Sequence, residues 1–248
     1  MKFRMIRFQK FSAFMNMAID EAIMESIRSG TSLPTIRFYG WSPSAISIGF
    51  FQGLLNEVNL DACQQAGVDV VRRLTGGGAV YHDSDGEVTY SILGPVEIFP
   101  QKILDSYRVI CSDILFALQL LGIQANFEPI NDLTVDGKKI SGNAQTRRSG
   151  VLLQHGTILY KVDVETMFSL LNVSKEKISD KLISSVKKRV TSVDSYSSAP
   201  IQDFFEAMEK GFSRDREIIY AEYTAEELSR ARQLAEQKYS TNNWIGMR

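Results

Sequence analysis

Hydrophobic and polar residues alternate at the start of the chain, in Lys2 to Phe8, with the period of a half-buried β-strand. A helical spacing follows up to about Arg28, with Asn16 as the predicted N-cap and Gly30 as the stop signal. Short strand-like runs then alternate with two further helical runs. The predicted strands are Thr35 to Tyr39, Ala45 to Phe51, Val68 to Arg73 and Glu87 to Leu93, and the predicted helices are Leu60 to Ala66 and Lys102 to Leu121.

Beyond Gly122 the pattern is again strand-like, and Asp136-Gly137 between two β-prone runs predicts a tight hairpin. From about Val162 the spacing becomes helical. The predicted strands are Ile123 to Phe127, Leu133 to Val135, Lys138 to Ile140 and Val151 to Tyr160, and the predicted helices are Val164 to Leu171, Lys175 to Val186, Ile201 to Phe212 and Ala225 to Tyr239. These elements predict one α+β domain over residues 1–248, a mixed sheet flanked by helices, with a helical tail from about residue 200 to 248.

The composition restricts the classes of partner. With 28 basic and 29 acidic side chains the formal net charge is −1, so nothing indicates a general attraction to nucleic acid or to an anionic membrane. No apolar run reaches the length of a membrane span. The two cysteines, Cys63 and Cys111, lack the spacing of metal ligands, which indicates a reducing compartment. We therefore expect a cytoplasmic protein that binds neither nucleic acid nor membrane.

The segment from Val70 to Asp83 carries the strongest functional signal, because it joins Arg72 and Arg73 to the triple glycine Gly76 to Gly78. Glycines without side chains allow a ligand or another backbone to approach closely. Guanidinium groups and bare N–H groups suit phosphate or carboxylate. The spacing matches neither the Walker A loop nor the dinucleotide fingerprint. The alternative is a glycine-rich bulge, but the flanking charges favour a loop that binds a nucleotide or an activated acid.

A second signal follows the predicted hairpin, where Lys138 and Lys139 precede Ser141-Gly142-Asn143. A lysine held on a strand of fixed register can direct its ammonium group into a cleft. A solvated strand edge is the structural alternative. The chain's two histidines, His82 and His155, each lie in such an unusual stretch, and we expect them to bind or orient rather than to transfer protons.

Together these motifs resemble the lipoate–protein ligase family, whose catalytic domain belongs with the biotin protein ligases. The resemblance covers nearly the whole chain: Asn16 to Ala22, Arg72 to Asp83, Asn131-Asp132, Lys139 to Gly142, His155-Gly156-Thr157, and Lys238-Tyr239-Ser240 with Trp244. It implies a biotin/lipoate protein ligase-like catalytic domain and two half-reactions in one cleft. Lipoate attacks the α-phosphate of ATP to give lipoyl-AMP, and a lysine of a lipoyl domain then takes the acyl group. The implied acceptors are the 2-oxoacid dehydrogenase acyltransferase subunit and the glycine cleavage H protein.

The resemblance also implies roles for single residues. Lys139 is the expected catalytic residue, placed between the carboxylate and the phosphate, where a cation offsets the repulsion of two anions. Mg²⁺ is expected to neutralise the leaving pyrophosphate, with Asp83 and Asp132 as candidate ligands. The lipoyl tail is expected to contact Val71, Ala79, Tyr81 and the strand Ile46 to Gly49. The residues expected to bind lipoate and ATP are Arg72, Arg73, Gly76, Gly77, Gly78, Ala79, Val80, Tyr81, His82, Asp83, Asn131, Asp132, Ser141, Gly142, His155, Gly156 and Thr157.

Relatives of the same fold are octanoyl- or lipoyltransferases that form an acyl-enzyme on a cysteine and need no ATP. The segment before the lysine hairpin, where one such class carries its nucleophile, reads Phe127 to Asp132 without a thiol, and Cys63 and Cys111 resemble buried fillers. The sequence therefore favours the ligase, with the transferase and a non-catalytic lipoate- or nucleotide-binding protein as alternatives. Single-chain ligases carry a further C-terminal domain, so we expect a separate small accessory subunit to supply it.

Overall fold

Two β-sheets organise the computed structural model, which describes residues 1–172 and 189–248. The strands are β1 (Lys2–Phe11), β2 (Thr35–Trp41), β3 (Ala45–Ile48), β4 (Asp69–Arg72), β5 (Val80–His82), β6 (Glu87–Pro95), β7 (Asn126–Glu128), β8 (Asp132–Val135), β9 (Lys138–Arg148), β10 (Val151–Leu159) and β11 (Glu217–Tyr220). The large sheet has the order β11-β1-β2-β6-β10-β9-β8-β7, and the small one β4-β3-β5. Strand β1 pairs in parallel with β2 and β11, while β2, β6, β10, β9, β8 and β7 pair antiparallel.

Helices cover both faces of the large sheet. They are α1 (Ala13–Arg28), α2 (Leu54–Glu57), α3 (Leu60–Ala66), α4 (Ile103–Leu120), α5 (Val164–Leu170), α6 (Ile201–Ser213), α7 (Ala225–Leu234) and α8 (Asn242–Ile245), and a π-helical turn, Ala235–Tyr239, continues α7. Strand β2 shows how the faces arise, since successive side chains of a strand point to opposite sides. Ile36 and Phe38 join the core beneath α4 and α6, whereas Tyr39 and Trp41 join the core beneath α1 and α7. The predicted mixed sheet flanked by helices is confirmed.

The small sheet uses the same alternation to place a polar side chain. Ile46 and Ile48 pack against Cys63 of α3 and Leu170 of α5. Ser47, between the two isoleucines, points to the opposite side of β3 and contacts Arg73. The alternation therefore turns the hydroxyl of Ser47 away from the apolar cluster.

Most predicted elements are present, with corrected ends. The hairpin at Asp136-Gly137 is confirmed, since both residues have positive φ, 50° and 71°, as a primed two-residue turn requires. The predicted N-cap of the first helix is wrong. Ser12 caps α1, whereas the Asn16 side chain lies inside the fold and donates to the carbonyl of Gly40. Strand β9 continues to Arg148, beyond the predicted end at Ile140.

Among the described residues, four short elements escaped the sequence patterns: α2, β5, β11 and α8. The predicted helix Lys175 to Val186 lies outside the described residues. Within the described ranges, no helix combines the length and the apolar character that a membrane crossing requires.

Candidate active site

A cavity of about 330 Å³ lies where the glycine loop, the lysine hairpin and the middle of β10 meet. Its volume is at the lower end of the range typical of small-molecule sites. The lining includes the apolar side chains of Met17, Trp41, Leu159 and Met167. It also includes polar and cationic groups, among them Arg73 and Lys139. The arrangement suits a ligand with a hydrocarbon portion and one polar end.

The structure brings most of the predicted site residues to this cavity. Those that line it are Arg73, Gly77, Gly78, Ala79, Val80, Tyr81, His82, Asp83, Asn131, Lys139, Ser141, Gly142, His155, Gly156 and Thr157. Arg72, Gly76 and Asp132 are outside the set of lining residues, as is Val71. Of the predicted strand Ile46 to Gly49, only Ser47 lines the cavity. Their roles in binding stay predictions.

Arg73 organises the glycine loop from inside the fold. Its Nη2 donates to the carbonyls of Gly76 (2.8 Å) and Gly78 (2.7 Å). Its Nη1 donates to the carbonyl and hydroxyl of Ser47, and its Nε to the hydroxyl of Thr75. Burial lowers the pKa of Arg73 to about 10, so the guanidinium is still charged at neutral pH. Arg73, which the sequence predicts to bind an anion, is thus also the cation that holds the glycine loop in place.

Arg72 has a different position, because neighbouring residues of a strand face opposite sides. Its guanidinium donates to the carbonyls of Gly49, Phe50 and Gln52, and to those of Trp244 and Ile245. The indole Nε1 of Trp244 donates back to the Arg72 carbonyl at 2.9 Å. Arg72 therefore joins α8 to the segment after β3, away from the cavity.

Ser47, His82 and Glu87 form a connected polar chain in the cavity wall. The Ser47 hydroxyl lies 2.8 Å from Nε2 of His82, and Nδ1 of His82 lies 2.6 Å from Oε1 of Glu87. All three side chains are buried, and all three line the cavity. The sequence predicts Ser47 only as part of the strand that contacts the lipoyl tail, and it assigns no function to Glu87. The pairing of β3 with β5, with Ala45 opposite His82, creates this contact across 35 residues of sequence.

A second chain of the same kind runs deeper in the fold. The Thr75 hydroxyl lies 2.7 Å from Nε2 of His155, and Nδ1 of His155 lies 3.3 Å from Oδ2 of Asp20. Burial lowers the pKa of His155. Burial alone would raise the pKa of Asp20, but Arg37 at 2.9 Å and His155 outweigh it, so that pKa lies below its ordinary value. His155 is thus held neutral beside an ionised carboxylate.

Lys139 extends into the cavity from β9. The residues two apart along this strand, Lys139, Ser141 and Asn143, all line the cavity, while Ile140 packs into the core. The Lys139 ammonium lies 2.7 Å from Oδ1 of Asp132 and is 45% exposed. A half-exposed ammonium at the cavity can reach a bound ligand. Lys139 thus lines the same cavity as Gly77 and Gly78, and its catalytic role stays a prediction.

The cysteines are remote from this chemistry. Cys63 and Cys111 are 1% and 0% exposed, and neither belongs to the cavity lining. Burial raises the pKa of the Cys63 thiol to about 11 and that of Cys111 to about 12. Thiolates at these positions are rare at neutral pH. Both cysteines occupy core positions.

The predicted Mg²⁺ ligands have other partners. Oδ1 of Asp83 accepts from the backbone N–H of Asp85 at 2.8 Å, and Asp132 pairs with Lys139. The described parts of the chain contain no group of three or more His, Cys, Asp or Glu side chains placed to hold a metal ion. The donor set described here does not fit a divalent cation.

Comparison with known proteins decides the family. The model of the lipoyl protein ligase A/B catalytic domain matches residues 12–213. The chain belongs to this family. Octanoyltransferase LipM of Brevibacillus brevis is 37% identical, over 98% of both chains, and the LipM of Geobacillus kaustophilus is 36% identical, over 92% of both.

Solved structures agree with the fold. A bipartite lipoate protein ligase from Thermoplasma acidophilum, described with its E2 lipoyl domain, superposes with a TM-score of 0.90 at 33% identity, over 100% of this chain and 98% of that one. Lipoate-protein ligase A bound with ATP superposes with a TM-score of 0.85 at 30% identity, over 100% of both chains. The chain is thus an enzyme of the lipoate ligase and transferase family.

The prediction of an ATP-dependent ligase is wrong. Curated relatives that match more than nine-tenths of the chain carry the name octanoyltransferase, which describes the transfer of an acyl group. The predicted use of ATP and Mg²⁺ is therefore not confirmed for this chain, although one structural neighbour binds ATP. Lipoylation and acyl transfer, as broad descriptions, are confirmed. The accessory subunit stays a prediction.

Proposed function

We propose that this enzyme transfers an octanoyl group, or the related lipoyl group, from a carrier thioester to a lysine of a lipoyl domain without ATP. The observation that carries the proposal is the name octanoyltransferase, shared by relatives that match up to 98% of the chain. A thioester is already activated, so its attack by an amine needs no nucleotide. The acceptor is inferred from the Thermoplasma acidophilum relative, which is described with an E2 lipoyl domain.

The cavity supports this function because both apolar and polar side chains line it. The apolar side chains of Trp41, Leu159 and Met167 suit an eight-carbon chain, since burial of each methylene contributes about 0.8 kcal/mol. At the polar end, the ammonium of Lys139 can stabilise the negative charge that develops on the thioester oxygen when a nucleophile attacks. The same reaction involves no phosphate, so Arg73 can keep its contacts with the glycine loop throughout.

The cysteine-dependent form of the reaction lacks support. Cys63 and Cys111 lie outside the cavity lining, and burial raises the pKa of both thiols. The proposed function therefore specifies the substrate and the acceptor but assigns no role to an enzyme thiol.

The proposal is tested by the mass of an apo lipoyl domain after incubation with the enzyme. One reaction contains the octanoyl thioester of acyl carrier protein without ATP, and a second contains free octanoate or lipoate with ATP and Mg²⁺. We expect one octanoyl group on the lipoyl domain in the first reaction and none in the second. Modification in the second reaction alone would overturn the proposal. A lipoyl domain whose acceptor lysine is replaced by arginine serves as the control and gains no mass.

A further inference from the structure

In the hydrogen bonds around Ser47, the donor and the acceptor of each bond can be assigned in one consistent way. Arg73 has only donors, so its Nη1 donates to the Ser47 oxygen, at 3.2 Å. Among the described residues, the acceptor available to the Ser47 hydroxyl hydrogen is then Nε2 of His82, at 2.8 Å. With Nε2 as the acceptor, the neutral ring carries its hydrogen on Nδ1 and donates it to Oε1 of Glu87, at 2.6 Å. The chain of contacts runs hydroxyl, imidazole, carboxylate.

We propose that Ser47 is the nucleophile of the acyl transfer, with His82 as its general base and Glu87 as the group that orients His82. The inference rests on the proposed function, because it names the residue that would carry the octanoyl group. A nucleophile and base within hydrogen-bond reach, with the base oriented by a third group, is the arrangement that activates serine in hydrolases and acyltransferases. All three residues line the cavity in which the acyl chain would bind.

Further contacts fix the base. The rings of Trp41 and His82 stack with centroids 4.0 Å apart, which holds the imidazole plane. The indole N–H of Trp41 donates to the Thr89 hydroxyl at 2.9 Å, and that hydroxyl donates to Oε1 of Glu87, also at 2.9 Å. Glu87 is thereby held by two donors at the same oxygen. The geometry limits the rotation of both the ring and the carboxylate.

Thr75 and His155 provide an internal comparison, since their hydroxyl-to-imidazole distance is almost the same, 2.7 Å. Thr75, however, does not line the cavity and is fully buried. The contact from His155 to Asp20 is longer, 3.3 Å. Of these two hydroxyls, that of Ser47 combines the short contacts with a place in the cavity wall. Arg73, which donates to both hydroxyls, adds positive charge that favours the alkoxide character of the attacking oxygen.

The two steps balance in atoms and protons. The Ser47 oxygen attacks the thioester carbonyl while its proton moves to Nε2 of His82; the carbon–sulfur bond breaks, and the carrier thiolate takes that proton. The octanoyl group is then an oxygen ester on Ser47. The neutral amine of the acceptor lysine attacks this ester, the carbon–oxygen bond breaks, and His82 returns a proton from the amine to the serine oxygen. The products are a free carrier thiol and an amide.

The test is the mass of the enzyme after incubation with the octanoyl thioester in the absence of a lipoyl domain. We expect the mass of one octanoyl group on the wild type, located on Ser47 by peptide mapping. An oxygen ester survives neutral hydroxylamine, whereas a thioester is cleaved by it. The label should therefore persist in neutral hydroxylamine and disappear when the lipoyl domain is added. A label on Cys63 or Cys111, or one cleaved at neutral pH, would overturn the inference.

Three variants sharpen this test. S47A should lack the label and lose transfer activity by about a hundredfold or more, the range for a lost nucleophile or general base. S47C keeps a nucleophile of similar size, and its label should become sensitive to neutral hydroxylamine, which reports the site even if S47A is unstable. Ser32 is half-buried and lies outside the cavity lining, so Ser32→Ala should retain label and activity.

The outcomes separate this inference from the proposed function. If a folded S47A variant modifies the lipoyl domain at the wild-type rate, the proposed function stands, and the amine attacks the thioester directly without Ser47. If the wild type modifies no lipoyl domain from the thioester, the proposed function fails, and the role of Ser47 fails with it.

Discussion

A β-carbon placed on Gly49 would lie 2.1 Å from the carbonyl oxygen of Gly77. The end of β3 and the glycine loop thus touch at a point where no side chain fits. The loop is held from its other side by Arg73, which donates to the carbonyls of Gly76 and Gly78. Gly77 itself has a φ of 97°, a region that favours glycine. Gly49 and Arg73 together determine where the loop borders the cavity.

Gly49→Ala should therefore displace the loop, with a loss of stability of about 1–3 kcal/mol, as for overpacking, and a loss of transfer activity. Thermal unfolding and the transfer assay measure both effects. Gly78→Ala is the matched control for stability, because a β-carbon there meets no atom within 4 Å. It should change stability by no more than about 0.5 kcal/mol. Wild-type stability and activity in Gly49→Ala would mean that the loop moves away without cost.

Lys139→Ala should lower kcat/KM for the thioester by about 10²–10³-fold, the range for a lost group that stabilises an oxyanion. Stability should change little, since the ion pair with Asp132 joins side chains that are 45% and 34% exposed. Lys138→Ala is the matched control, because Lys138 precedes Lys139 on β9 and does not line the cavity. Steady-state kinetics on both variants measure the effect on kcat/KM. An equal loss of kcat/KM in the two variants would contradict the role assigned to Lys139.

His155 should make stability depend on pH. Burial lowers its pKa, so in the folded protein the ring stays neutral at a pH where the unfolded chain, with an ordinary pKa of about 6.5, takes up a proton. The contribution of His155 is therefore complete above about pH 6.5 and is lost as the pH falls from there towards the folded pKa. Urea unfolding of the wild type and of His155→Gln, at pH 7.5 and 5.5, measures this loss.

The difference in unfolding free energy between the two proteins should be smaller at the lower pH. Asp113 titrates in the same region, because burial raises its pKa to about 6, but it is present in both proteins, so its effect cancels. A difference that stays constant between the two pH values would contradict the neutral state assigned to His155.

The features that the sequence predicted well are those set by local chemistry. Asp136 and Gly137 predict their turn because few other residues adopt positive φ. The triple glycine predicts a close approach, and Gly49 and Gly77 make one. The helix Leu60–Ala66 has its predicted bounds, and Gly67 behind it adopts the left-handed conformation that ends many helices.

The features that the sequence did not reveal depend on contacts between distant segments. Ser47 has no local signal, since its partner His82 is brought close only by the pairing of β3 with β5. Arg72 and Arg73 are alike in sequence, and only the direction of β4 decides which side chain faces the cavity. The local patterns also did not reveal the reaction type, because relatives of this chain include proteins named ligase and proteins named octanoyltransferase.

The cysteines should be dispensable for the reaction. Both lie in the core outside the cavity lining, with pKa values raised by burial to about 11 and about 12. The double variant C63A/C111A should keep its transfer rate within about twofold while losing about 1 kcal/mol of stability at each site through the small voids left behind. Kinetics at a temperature well below unfolding separate the two effects. If a folded double variant lost transfer activity, the result would indicate that a cysteine thiol takes part in the reaction.

Arg72→Lys should weaken the fold rather than the binding of the thioester. Lysine keeps the charge but cannot form the fork that reaches the carbonyls of Gly49, Trp244 and Ile245 together. We expect a stability loss of about 2–4 kcal/mol, from several hydrogen bonds of a buried charged group, with KM for the thioester within about twofold of wild type. Arg147→Lys, at an arginine that binds the carbonyls of Pro100 and Gln101 near the surface, is the matched control and should lose less stability. A large rise in KM with unchanged thermal stability would instead support the ligand-binding role that the sequence predicted for Arg72.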